Sequence, residues 1–214
     1  MLGSVSDKVL TTLAGTPVIV HCARAFIQSG VATHFTIVFR DETQRSQIET
    51  ALKALDCTLT FVSGGTERQD SVFNALQAQG EDCEHVFIHD CARPLIAPEA
   101  IQALERAVRS DRAAVLAHPV TDTIKRIAEP NQLNQVELED LERTRLWAME
   151  TPQAFAYQDI LKAYTHVRKK QLVITDDTAA AATIGLKTTI VPNANPNPKI
   201  TTPADLNYIE WLLR

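Results

Sequence analysis

The chain has 214 residues, 45% of them apolar, which is enough for one domain with a real core. Its net charge of −5 argues against a general nucleic-acid binder and leaves room for a small cationic pocket. The four cysteines, Cys22, Cys57, Cys83 and Cys91, show no CxxC or zinc-like His spacing and read as reduced thiols. With no long apolar run and no signal-like N-terminus, the expected location is the cytoplasm.

In chain order, residues 1–15 read as loop. A helix is expected from Pro17 to Ser29, with Thr16 as cap, Gly30 as stop, and Ile19, Cys22 and Phe26 on one stripe. A strand follows at His34–Phe39, a helix at Thr43–Leu55 and a strand at Leu59–Val62. The Gly64-Gly65 turn then leads into a helix carrying Val72 and Leu76. Val86-Phe87-Ile88 reads as a strand buried on both faces, Pro98–Arg109 as a helix and Ala113–Val120 as a strand. This alternation predicts an α/β fold with a mostly parallel sheet covered by helices. The alternation breaks over 121–147, which reads as an antiparallel excursion: an arm that cannot bury both faces alone and packs on a second copy of the chain. Helices resume at Asp159–Lys169 and Asp176–Ile184, then a strand at Thr188–Val191 and a helix at Pro203–Leu213.

Chemistry concentrates in a few stretches. VFIHDCARP (86–94) puts Asp90 and Arg93 where a buried strand surfaces, the usual ligand end of such sheets. A carboxylate there suits a hard cation and an arginine suits a phosphate; the plain alternative is an Asp–Arg salt bridge. GGTERQDSV (64–72) joins a strand to a helix start, where backbone N–H groups meet anions or base carbonyls. It is not a Walker motif. TDTIKR (121–126), TPQAF (151–155), ITDDTAAAA (174–182) and NPKIT (197–201) each have an ordinary reading as an edge strand, a connection, a capped helix or a loop. No Ser–His–Asp or paired-carboxylate arrangement stands out.

Taken together, GGTERQDSV, VFIHDCARP, VTDTIKR, LERTRLWAMETPQAF, ITDDTAAA and NPKITTPADL resemble, in order and spacing, the 2-C-methyl-D-erythritol 4-phosphate cytidylyltransferase family, from about Lys8 to the C-terminus. The resemblance implies a Rossmann-like nucleotidyltransferase fold and a homodimer that exchanges the 121–147 arm. It also implies CTP and a sugar-alcohol phosphate as substrates, and Mg²⁺ or another divalent cation as cofactor. By the same resemblance Asp90 holds the metal and nucleotide, and Gly65, Thr66 and Ser71 recognise cytosine and ribose, with Thr66 standing where an aspartate is common. Arg93, Thr151 and Lys199 contact the sugar phosphate. Thr123 and Arg143 reach the partner's pocket. Lys8 and Lys199 stabilise developing charge, although the DKVLTTLAGTP segment lacks the proline and glutamine that flank this lysine in the family.

One departure is marked. The family begins with an apolar strand and a LAAGxGxRM-type phosphate loop, and this sequence starts at Met1-Leu2-Gly3-Ser4, about where that loop ends. The expectations are an absent first strand, open edges on its two neighbours and impaired transfer, with a start assigned too far downstream favoured over a truncation. The rival functions are a cytidylyltransferase for ribitol 5-phosphate or a similar polyol phosphate, and an inactive dimeric nucleotide-binding relative.

Overall fold

The computed structural model describes residues 7–214. Its first element is a tight hairpin, β1 (Thr12–Leu13) and β2 (Thr16–Pro17), turning at Ala14-Gly15 with both φ positive. The end of the stretch read as loop therefore pairs with itself. Pro17 occupies the cap position with an extended ψ of 141°, and α1 (Val18–Ser29) starts one residue later than expected. Gly30, at φ 70°, ends it as anticipated.

Strands and helices then alternate: β3 (His34–Phe39), α2 (Glu42–Leu52), β4 (Thr58–Ser63), α3 (Arg68–Gln77), β5 (His85–Ile88), α4 (Pro98–Asp111) and β6 (Ala113–Pro119). α2 starts where the Asp41 carboxylate accepts from the Gln44 N–H at 2.8 Å, and it stops three residues short of the expected Leu55. A reciprocal capping box of Glu67 and Asp70 starts α3.

After β6 come the short pair β7 (Lys125–Arg126) and β8 (Glu139–Asp140), a 3-10 turn at Arg143–Arg145, and β9 (Trp147–Ala156). The chain closes with α5 (Tyr157–Lys170), α6 (Asp177–Ala182), β10 (Thr189–Pro192) and α7 (Pro203–Leu212). β9 is the largest difference from the sequence reading. TPQAF read as a connection, yet it belongs to a ten-residue strand inserted antiparallel between β5 and β6. The sheet order is β10-β6-β9-β5, with β10 parallel to β6. Because β9 opposes both β5 and β6, those two run the same way, and the sheet is mostly parallel with one reversed strand. The 121–147 excursion is the far end of the β6–β9 hairpin, held at its root by the Val120 N–H donating to the Leu146 carbonyl at 3.1 Å.

The parallel pair β3–β4 forms a separate ladder. Among the described residues β3 pairs only with β4 and β5 only with β9. Between β3 and β5 lies a 660 Å³ cavity lined mainly by apolar groups such as Phe35, Ile37 and Phe87. The four-stranded sheet is tightly covered: Phe155, Tyr164 and Ile160 are fully buried on one side, and Ile101, Leu104 and Leu116 on the other. The four cysteines form no disulfide.

Candidate active site

The site forms where β5 ends. The chain turns over Asp90–Arg93, closed by the Arg93 N–H donating to the Asp90 carbonyl at 2.9 Å, and Asp90 Oδ1 accepts from the Ala92 N–H at 3.1 Å. Thr151, on the adjacent β9, locks this turn. Its Oγ1 accepts from the Asp90 N–H at 3.0 Å and lies 3.2 Å from His89 Nδ1. His89 Nε2 is 3.2 Å from the Arg93 carbonyl, which can only accept, so Nε2 carries the proton and Nδ1 accepts from the threonine hydroxyl. Burial against Phe26, opposed by the Asp90 charge, pulls the His89 pKa down to about 4. His89 is thus a neutral spacer.

Asp90 and Arg93 do not make the salt bridge the sequence left open. Asp90 Oδ2 meets Lys199 Nζ at 2.5 Å, and Arg93 Nη1 donates to the Asn197 carbonyl at 2.6 Å. Burial alone would lift the Asp90 carboxyl. The Lys199 ammonium and the Ala92 N–H outweigh it and hold the pKa below the usual carboxylate range. Asp90, Arg93, Thr151 and Lys199, which lie far apart in sequence, therefore line one 650 Å³ cavity.

Arg68 also lines that cavity, and sequence reasoning missed it. It sits inside GGTERQDSV, where a cation opening a helix was the available signal. Its guanidinium donates twice to Asp177, at 3.0 and 2.7 Å. Asp177 is 0% exposed and also accepts from the Tyr164 hydroxyl at 2.5 Å. Although burial works against the charge, this carboxylate raises the Arg68 pKa, so Arg68 is a permanent cation. Gln153, Asp176 and Thr178, also unpredicted, add polar lining.

The glycine turn has a clear steric logic. A Cβ on Gly65 would lie 2.3 Å from the Asp70 Cβ, and its N–H donates to Ser71 Oγ at 2.9 Å. Ser71 lines the apolar cavity, which shares Arg68 and Asp90 with the polar one, so the two spaces meet at those residues. Gly65 and Thr66 stay on the exposed rim. Lys8 lies half-buried in the turn from Asp7 and lines neither cavity, although its neighbour Val9 lines the apolar one. Thr123 and Arg143 are exposed on the arm, away from both cavities, with Arg143 Nη1 donating to the Thr121 carbonyl at 2.9 Å.

A family model described as 2-C-methyl-D-erythritol 4-phosphate cytidylyltransferase matches residues 2–214. The chain belongs to this family. A curated relative of that name from Pelotomaculum thermopropionicum is 37% identical, over 100% of this chain and 89% of its own length. Another, from a Synechococcus strain, is 34% identical over 99% and 90%. Among solved structures, the Francisella tularensis enzyme of that name is 26% identical, with a TM-score of 0.80 over 95% of this chain and 92% of its own. The 4-diphosphocytidyl-2C-methyl-D-erythritol synthase structure from Anaerococcus prevotii, 24% identical, supports the fold, with a TM-score of 0.87 over 98% and 95%. The Rossmann-like nucleotidyltransferase architecture expected from the motifs is therefore the fold of this chain.

Proposed function

We propose that the chain transfers CMP from CTP to 2-C-methyl-D-erythritol 4-phosphate and releases pyrophosphate, in the cytoplasm; no described helix is long and apolar enough to cross a membrane. The observation that carries this reading is the convergence of Arg68, Arg93 and Lys199 with Asp90 at one strand end, in a chain of this family. In the reaction an acceptor phosphate oxygen attacks the α-phosphorus and pyrophosphate leaves. A phosphomonoester is already largely dianionic at neutral pH, with its second pKa near ~6. It needs no general base, in keeping with His89 being neutral and fully engaged.

The obstacle is bringing two anions together, and the chain's answer is fixed positive charge. Arg93 and Lys199 hold the acceptor phosphate, and Lys199, already beside Asp90, also stabilises charge building on the transferring phosphorus, with Arg68 at the border of the nucleotide space. Thr151 holds the Asp90 turn in place. Gly65 lets the turn backbone approach the base, with Ser71 bracing it. Lys8 belongs to the triphosphate side of this reading.

Mg²⁺ fits the donor set. Asp90 offers one ionised hard oxygen at the pocket, and among the described residues no cluster of three or more His, Cys, Asp or Glu could cage a metal. That matches magnesium's habit of binding through one carboxylate plus substrate phosphates and water. When bound, the ion would neutralise nucleotide phosphate charge, with Asp90 as its protein ligand.

A homodimer through the arm completes the reading. Leu133 and Leu138 are 73% and 57% exposed there, and Thr123 and Arg143, exposed on the arm, line neither cavity of their own chain. The deciding experiment supplies CTP, methylerythritol phosphate and Mg²⁺ and measures pyrophosphate release. Turnover of ribitol 5-phosphate in its place, or of neither acceptor by a protein that binds CTP, would overturn the assignment.

A further inference from the structure

Glu150 is a buried acid for which the motifs gave no signal. It lies on β9 beside Thr151, lines the polar cavity and is 3% exposed. Its oxygens act only as acceptors. Oε1 lies 2.6 Å from His118 Nδ1 on β6, and Oε2 accepts from Asn193 Nδ2 at 2.9 Å and Asn197 Nδ2 at 2.8 Å. A carboxylate at this depth is costly unless such donors compensate it, and removing it would leave three donors in want of an acceptor.

Two of those donors belong to the loop that carries Lys199. Asn193 opens the loop, with its own N–H donating to the Ala117 carbonyl at 2.9 Å, and the Ile200 N–H closes it on the Ala92 carbonyl at 2.8 Å. Between these ends Glu150 is the central anchor. Asn197 shows how firmly it holds. The amide donates to both Glu150 and the Thr151 carbonyl, and its Oδ1 is left buried without a partner. A buried amide that gives up a partner for its carbonyl is oriented by its donors. The backbone carbonyl of the same residue takes the 2.6 Å bond from Arg93.

We propose that Glu150 is a positioning residue for the acceptor pocket: by fixing Asn197 it sets the Arg93 guanidinium and the loop bearing Lys199. This rests on the cytidylyltransferase reading above, in which those two cations hold the sugar phosphate. It makes the pocket's selectivity depend on a carboxylate that touches no reacting atom.

The test is Glu150→Gln, with Asn193→Ala as a milder variant that removes one donor from the loop. Calorimetry with 2-C-methyl-D-erythritol 4-phosphate should show affinity falling about tenfold in Glu150→Gln and about threefold in Asn193→Ala, with CTP affinity within twofold of the parent. Hydrogen exchange in the ligand-free protein should rise over 193–200 and stay level in β5 and α4. Equal losses for CTP and acceptor, or an unchanged acceptor affinity in either folded variant, would overturn the proposal. If Glu150→Gln fails to fold, Asn193→Ala decides. If the parent protein binds CTP but not the acceptor, the functional reading fails instead. The exchange pattern then judges the anchor separately, and a flat pattern over 193–200 overturns it too.

Discussion

The two halves of this molecule are built to different standards. In the four-stranded sheet β9 and β6 are paired on both sides, helices seal both faces, and polar side chains at the strand ends are tied by a continuous hydrogen-bond network. The β3–β4 half faces the rest of the sheet across a 660 Å³ apolar space. Arg93 and Lys199 belong to the first half; Ser71 and the glycine turn hang from the second. In the function proposed above, the acceptor pocket is pre-organised by the four-stranded sheet, and nucleotide recognition depends on how the two halves meet, at Arg68 and Asp90.

The sharpest way to break this contrast is to truncate one aromatic in each half. Phe155→Ala, in the sealed half at 0% exposure, should cost about 3–5 kcal/mol in a denaturant titration. Phe35→Ala, on β3, removes a ring that already borders the open space; it should cost about 2 kcal/mol, part of it the edge contact with Phe26. Equal costs would mean that both halves are packed alike.

Within the intact half, Asp90→Ala should lower turnover by about 10²–10³ and change its Mg²⁺ dependence, read by pyrophosphate release across a magnesium series. The acid limb of stability should follow His89. Its folded pKa of about 4 lies below the ordinary value near ~6.5, so the unfolded chain takes up the proton first. Stability is then full above about pH 6.5 and falls by about 2–3 kcal/mol as pH drops toward 4. Thermal melts across that window should show it, and a flat profile would place His89 in contact with water. Smallest, Arg93→Ala should raise the acceptor KM about tenfold and leave the CTP KM nearly unchanged. Identical kinetic defects in the Asp90 and Arg93 variants would return the two residues to a single structural role.

Much of the architecture was legible because period and punctuation agree: the stripe Ile19, Cys22, Phe26 and the stop at Gly30 define α1, and Ile101, Leu104 and Val108 define α4. β9 was hidden because it is buried on both faces, lacks alternation and contains a proline. Site residues inside dense motifs, such as Asp90, Arg93 and Lys199, could be named from the family resemblance, and the structure shows them converging. Arg68 and Glu150 were hidden for another reason. Their meaning depends on partners more than 30 residues away, Asp177 in one case and His118 with Asn197 in the other, and no local pattern encodes such a pairing.

The reversed strand ties the outside of the molecule to its centre. Trp147 at the root of the arm and Thr151 at the Asp90 turn lie on one strand, four residues apart, a span of about 13 Å, with the pairing to β6 shifting register between Met149 and Gln153. Torque applied to the arm is borne by the same strand that forms the pocket wall.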